Sequence, residues 1–227
     1  MGWEDSAMED RNEGKRLFQS DNPFNSFMTL VFDMMELSIL WLVFCLPIIT
    51  IGASTTALYY EAMKLVRDEG SSVSKGFLKS FKENFKESVP FTLIELLIVA
   101  VLVFDFHYLR AKDTAGASIS YGILLFAAIL AVAVFSYAYP LLAHFVNTVK
   151  GTFNNAWRVA ATNLPVTLLI TAINAAPFLW FLLAPSSFAR VFWIWIFVGE
   201  GASAYVCSIF LVKIFDRIAE PKNEENS

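Results

Sequence analysis

Two carboxylates stand where carboxylates are costly. Glu95 and Glu200 lie inside long apolar runs, and an ionised acid at mid-bilayer costs at least ~2.5 kcal/mol. Such a group is expected to face a protein interior or a cavity. Glu200 sits between Gly199 and Gly201, which would let a second helix or a ligand come close. Two readings are open. One is a polar intramembrane site for a proton, a cation or a sugar hydroxyl, lined by Glu200, Glu95, Asn174, Thr50 and Thr55. The other is a neutral, hydrogen-bonded structural pair, or a Glu95 that sits near the cytoplasmic interface. Asp33 and Glu36 are one turn apart and share a helix face; they are read at the outer membrane interface.

Other chemistry is sparse. The chain holds no G-x-S-x-G, no H-E-x-x-H and no P-loop. Its two cysteines, Cys45 and Cys207, fall in predicted membrane helices and fit neither a metal spacing nor a disulfide framework. His107 and His144 are too far apart for a zinc motif. His144 and Asn147 share a face near a span end, where a solvated role is expected. The reading is therefore non-enzymatic, with no cofactor and no metal. The net charge of −4 mixes both signs and carries no nucleic-acid footprint.

The elements that must position these groups are membrane helices. The 227 residues are 56% hydrophobic, with a mean hydropathy of +0.54. A soluble domain is ~45–50% apolar. Residues 1–22 form a polar tail with no cleavable signal pattern. Five spans of near 20 residues are expected: Phe24 to Ile49, Val89 to Tyr108, Ile119 to Pro140 (running on toward His144), Pro165 to Leu183, and Val191 to Val212. A single transmembrane domain thus covers 23–216, and 217–227 is a polar tail. The fold class is all-α, a polytopic helical bundle.

Between spans one and two lies a bend. Pro47 cannot continue a helix, Gly52 frees the backbone, and Ser54 or Thr55 can cap the short helix Thr55 to Arg67. Then comes a basic amphipathic stretch. Phe77, Phe81 and Phe85 recur every four residues, flanked by Lys75, Lys79, Lys82 and Lys86. This predicts a separate helix in the headgroup region, its phenylalanines in lipid. Lys150 to Asn163 is a second amphipathic stretch.

A shift of 75 positions lays Lys75-Gly76 on Lys150-Gly151, and Pro90-x-Thr92-Leu93 on Pro165-x-Thr167-Leu168. This suggests a parallel internal repeat, with halves near 24–109 and 118–184 and a fifth helix at 190–212. Basic residues set the orientation. Lys64, Arg67, Lys75, Lys79, Lys82, Lys86, Lys150, Arg158, Lys213, Arg217 and Lys222 share one side, eleven against six on the other. The eleven-residue side is expected to be cytoplasmic, with the N-terminus outside and the C-terminus inside. Trp180, Trp193 and Trp195 would anchor the outer interface.

The run Trp41 to Leu58, with Pro47, Thr50, Gly52, Thr55 and Ala57, resembles the signature of the YesL family of bacterial integral membrane proteins. Ser80-Phe81-Lys82-x-Asn84-Phe85 and Pro140-Leu141-Leu142-Ala143-x-Phe145 resemble it too. The resemblance spans nearly all of the chain after Asn22. It implies a multi-pass bacterial cell-membrane protein associated with carbohydrate uptake, and no catalytic residues. An accessory role beside a sugar ABC importer or its sensor is expected. The alternative is a small transporter or channel with a polar site near Glu200. The bilayer is one partner, no nucleic acid is expected, and the oligomeric state stays open.

Overall fold

In the computed structural model, residues 23–69, 72–110, 117–145 and 149–219 are described. Residues 1–22, 70–71, 111–116, 146–148 (with Asn147) and 220–227 lie outside them. The described residues form helices joined by short turns: α1 Pro23–Cys45, a 3-10 turn Ile48–Thr50, α2 Ile51–Val66, α3 Val73–Arg110, α4 Ala117–His144, α5 Val149–Thr162, α6 Leu164–Leu183, α7 Pro185–Ile194, a π-helical turn Trp195–Gly199 and α8 Glu200–Ala219. The chain divides into two compact units, 1–33 and 34–227. In the first, Thr29 Oγ1 donates to the Asn25 carbonyl at 3.0 Å. The second holds the end of α1 and all of α2 to α8.

Five stretches are long and apolar enough to cross a membrane: Phe24–Cys45, Val73–Leu109, Ile119–His144, Leu164–Leu183 and Pro185–Ala219. Helix α2, with 16 residues, is not one of them. It is instead the centre of the core. Ala53, Ala57 and Ala62 are fully buried, and such small side chains let neighbouring helices approach closely. Helices α3, α4 and α8 pack around it.

Three expectations need correcting. First, the basic amphipathic stretch is no separate surface helix. It is the first half of α3, a continuous 38-residue helix that runs through Pro90 and is about 57 Å long at 1.5 Å per residue. Phe77 and Phe81 of this stripe pack against protein. Phe77 is 0% exposed, and Phe44 of α1 packs on both Phe77 and Phe81, with ring centroids 5.6 and 4.8 Å apart. The protein buries this stripe because α1 and α2 fold back along it. Asn84 is used locally, bonding the Ser80 carbonyl at 3.0 Å and Ser80 Oγ at 3.2 Å. Lys82 stays exposed.

Second, Ser54 and Thr55 do not cap α2. The helix begins at Ile51, after Thr50, whose side chain makes no cap bond. Thr50 Oγ1 instead reaches the carbonyls of Phe44 and Pro47, at 2.5 and 2.6 Å. A helix end leaves its last carbonyls without intrahelical partners, and Thr50 serves the end of α1 rather than the start of α2.

Third, the last span is longer than expected. Only Ala184 interrupts the chain before Pro185, and the helical course continues through the π turn at Trp195–Gly199 into α8. The turn absorbs the Gly199-Glu200-Gly201 stretch without a break.

Helix α4 shows where the core ends. From Ala133 to Leu142 it is buried on every side. Nearer its start, Ile119, Ile123 and Phe126 are about two-thirds exposed. The two Pro-x-Thr-Leu copies share one detail. Thr92 Oγ1 bonds the Ser88 carbonyl and Thr167 Oγ1 bonds the Asn163 carbonyl, both at 3.1 Å. Their settings differ: Pro90 lies mid-helix, whereas Pro165 opens α6 after a break at Asn163.

Candidate functional site

Glu95, Glu200, Asn174, Thr50 and Thr55 each meet a different neighbour. Glu95 Oε2 accepts a hydrogen bond from the Tyr139 hydroxyl of α4. Tyr139 is 5% exposed and its ring also closes on Gly52. A Cβ built on Gly52 would lie 2.9 Å from the Tyr139 ring and would strike Thr92 Oγ1. In its absence, the Gly52 N–H donates to Thr92 Oγ1 at 3.0 Å. Thr56 extends the seam, donating to the Gly52 carbonyl at 2.8 Å and meeting Ser88 Oγ at 3.2 Å. Small and hydroxyl residues on α2 and α3 thus join the two helices by hydrogen bonds.

Thr55 accepts the Trp41 indole N–H at 3.1 Å. Asn174 Nδ2 donates to Ser136 Oγ at 2.9 Å, and Tyr59 lies near both Asn174 and Cys207. Trp195, at the start of the π turn, lies beside Glu200. Trp195 therefore turns inward over Gly199 rather than serving only as an interface anchor. Gly201 takes the close helix contact: its N–H donates to Ser38 Oγ at 2.9 Å, and the Met34 carbonyl lies against its Cα. Cys45, Tyr59 and Cys207 are the electrostatic neighbours of Glu200. The structure thus groups Glu200, Tyr59 and Asn174 loosely around α2 and α8. It pairs Glu95 with Tyr139 at the α2–α3 seam, and gives Thr50 and Thr55 to α1.

A second polar locus was not visible in the sequence. Glu61 is 2% exposed, and its carboxylate fills the space where a side chain on Gly76 would lie. Lys64 Nζ pairs with Glu61 Oε1 at 3.2 Å. Burial pushes the Glu61 carboxyl above its usual range; Lys64 pulls it back, and nearby Glu36 pushes it up again. Glu36 itself accepts from Ser74 Oγ. That contact places Glu36 beside the start of the basic segment. Because α2 turns back beside α1, Glu36 meets the very start of α3. Small residues at Ser74 and Gly76 were the only signal.

At one end of this unit Arg67 Nη2 pairs with Asp216 Oδ1 at 2.5 Å, and the His144 ring stacks on Phe215 with centroids 5.5 Å apart. The last turns of α4 and α8 therefore meet just past the end of α2. Asp105 and Tyr108 line a cleft of about 450 Å³ between α3 and α4. Among the described residues no group of three His, Cys, Asp or Glu side chains could hold a metal.

Long apolar helices around a buried, hydroxyl-rich central helix define a multi-pass α-helical membrane protein. Residues 34–106 match the family model described as "Protein of unknown function, DUF624". Over 155 residues the chain is 23% identical to "Uncharacterized protein YesL" of Bacillus subtilis (strain 168), covering 66% of this chain and 73% of that protein. No solved structure matches. The matched segment holds the whole α1–α2 bend together with the seam that α2 makes with α3.

Proposed function

We propose that this protein is a non-enzymatic membrane accessory component linked to carbohydrate uptake, and that it docks its partner through the first half of α3. One observation carries the docking surface. The Phe77 face of that helix is packed inside the protein, while Lys75, Lys79, Lys82 and Lys86 are all exposed. Their spacing of four, three and four places them in one stripe. A helix whose apolar face is already covered has no need of lipid insertion, so the stripe is left for an acidic surface. The carbohydrate link rests on what the YesL resemblance implies, with a sugar ABC importer or its sensor as the partner. The end that carries Arg67 and Asp216 is read as cytoplasmic, because the basic excess gathers there.

A photocrosslinker at Lys79 tests this in cells taking up carbohydrate. Crosslinks to an importer or sensor subunit, absent from a probe at Ile123, are expected. The reading falls if Lys79 crosslinks nothing beyond what Ile123 does. A second reading, a small transporter with a polar site at Glu200, draws support from the π turn and from the Tyr59–Asn174 contact beside α8. Uptake of labelled sugar by the purified protein in liposomes, lost in Glu200→Gln, would favour it.

A further inference from the structure

A groove opens between the middle of α3 and the start of α5. Its volume is about 850 Å³, and Phe91 and Ile94 of α3 line it together with Lys150, Phe153, Asn154 and Trp157 of α5. Lys150, Asn154 and Trp157 are four and three residues apart, so one face of α5 is turned to it. Among the described residues no acid is in the lining. Ile94, Phe153 and Trp157 are each 40–47% exposed, which leaves apolar surface open along the groove. Its depth in the molecule is informative. On α3, Lys86 and Glu87 are the last charged residues before Phe91. Beyond it, Leu93, Leu97, Val101 and Phe104 are half exposed or more. The groove therefore sits where this helix passes from a water-compatible surface to a lipid-compatible one, and a partly exposed tryptophan suits that level.

We infer that this groove holds the phosphate and upper acyl segment of an anionic glycerophospholipid. Lys150 and Asn154 supply a cation and an amide donor for the phosphate. Phe91, Ile94, Phe153 and Trp157 supply apolar walls for the first part of the chains, whose remainder lies in the bilayer. The volume falls within the range of small-ligand sites, about 300–1,000 Å³. Charge complementarity selects the headgroup: one lysine and no carboxylate favour an anion over a zwitterion. This site is separate from the lysine stripe on α3 and does not depend on the docking reading.

The experiment uses the full-length chain, purified in mild detergent with equal amounts of phosphatidylglycerol and phosphatidylcholine. Lipids retained per chain are counted by native mass spectrometry. One phosphatidylglycerol per chain is expected for the wild type and for Lys213→Glu. Lys150→Gln should lower the retained fraction by about fivefold, the effect of one lysine beside anionic lipid. Thermal midpoints confirm that each variant is folded. Brominated phosphatidylglycerol should quench tryptophan emission, and Trp157→Phe should remove that quenched component while the protein stays folded. Equal retention of phosphatidylcholine would overturn the inference. So would wild-type retention in Lys150→Gln, quenching undiminished in Trp157→Phe, or displacement of the lipid by glycerol phosphate alone.

Discussion

The backbone N–H of Gly52 donates to Thr92 Oγ1 at 3.0 Å, across forty residues of chain. The first turn of α2 is therefore capped by a side chain of α3. Thr92 is 1% exposed, so water cannot replace it. Thr92→Val keeps the shape and removes the acceptor, leaving a buried N–H unpaired. A loss of ~1–3 kcal/mol is expected, read as a lower thermal midpoint in detergent. Thr92→Ser keeps the hydroxyl and should recover most of it. A Val variant as stable as the wild type would show that the bond is not needed.

Gly76 and Glu61 should be coupled. Gly76→Ala places a methyl group on the Glu61 carboxylate, and overpacking of this kind costs ~1–3 kcal/mol. Glu61→Ala makes room for that methyl. In a double-mutant cycle, Gly76→Ala should therefore cost less in the Glu61→Ala background than in the wild type. Strict additivity would mean that the two sites do not share this space.

Glu61 should also make stability depend on pH. Its folded-state pKa is raised, with burial the largest cause. As pH rises above the usual carboxylate range, the unfolded chain loses this proton first. The folded state then binds more protons, so stability falls with rising pH until Glu61 ionises in the folded protein. Chemical or thermal midpoints measured from about pH 4 upward, near the ordinary Glu value, should show that decline, flattened in Glu61→Gln. An unchanged profile in Glu61→Gln would assign the decline to other groups.

Glu200 separates a structural role from a functional one. Trp195 lies beside it, and Gln retains an acceptor for the indole N–H. Glu200→Gln should fold and keep its stability to within ~1 kcal/mol, the scale of one ordinary hydrogen bond. Glu200→Leu leaves that N–H without its acceptor and should cost ~1–3 kcal/mol. Thermal midpoints of the three proteins check both figures, and a Leu variant as stable as the wild type would refute the structural contact.

The Arg67–Asp216 pair is expected to contribute little. Asp216 is 53% exposed and Arg67 26%, and exposed ion pairs are worth ~0–1 kcal/mol and are screened by salt. Asp216→Asn should lower the thermal midpoint slightly at low salt, with the difference closing as salt is raised. A large, salt-insensitive loss would point to a role beyond the ion pair.

Read alone, the chain established its class. Runs of about twenty apolar residues can satisfy their backbone in lipid only as helices, so the spans were legible from composition and length. The lower edge of span four and the passage of the third span toward His144 were equally legible, because Pro165 and the apolar run mark them locally. The partners of the polar residues were not. Glu95 meets Tyr139, Glu36 meets Ser74 and Glu61 rests on Gly76. These contacts join residues far apart in the chain, and no local pattern encodes them. The fate of the Phe77 stripe was undecidable for the same reason. An amphipathic helix has the same sequence whether its apolar face meets lipid or protein, and only the return of α2 along α1 and α3 decided in favour of protein. Glycine was ambiguous in the same way. Gly52 looked like backbone freedom and Gly76 like a repeat position, yet in the folded chain each marks the place where another residue comes too close for a side chain, as does Gly201.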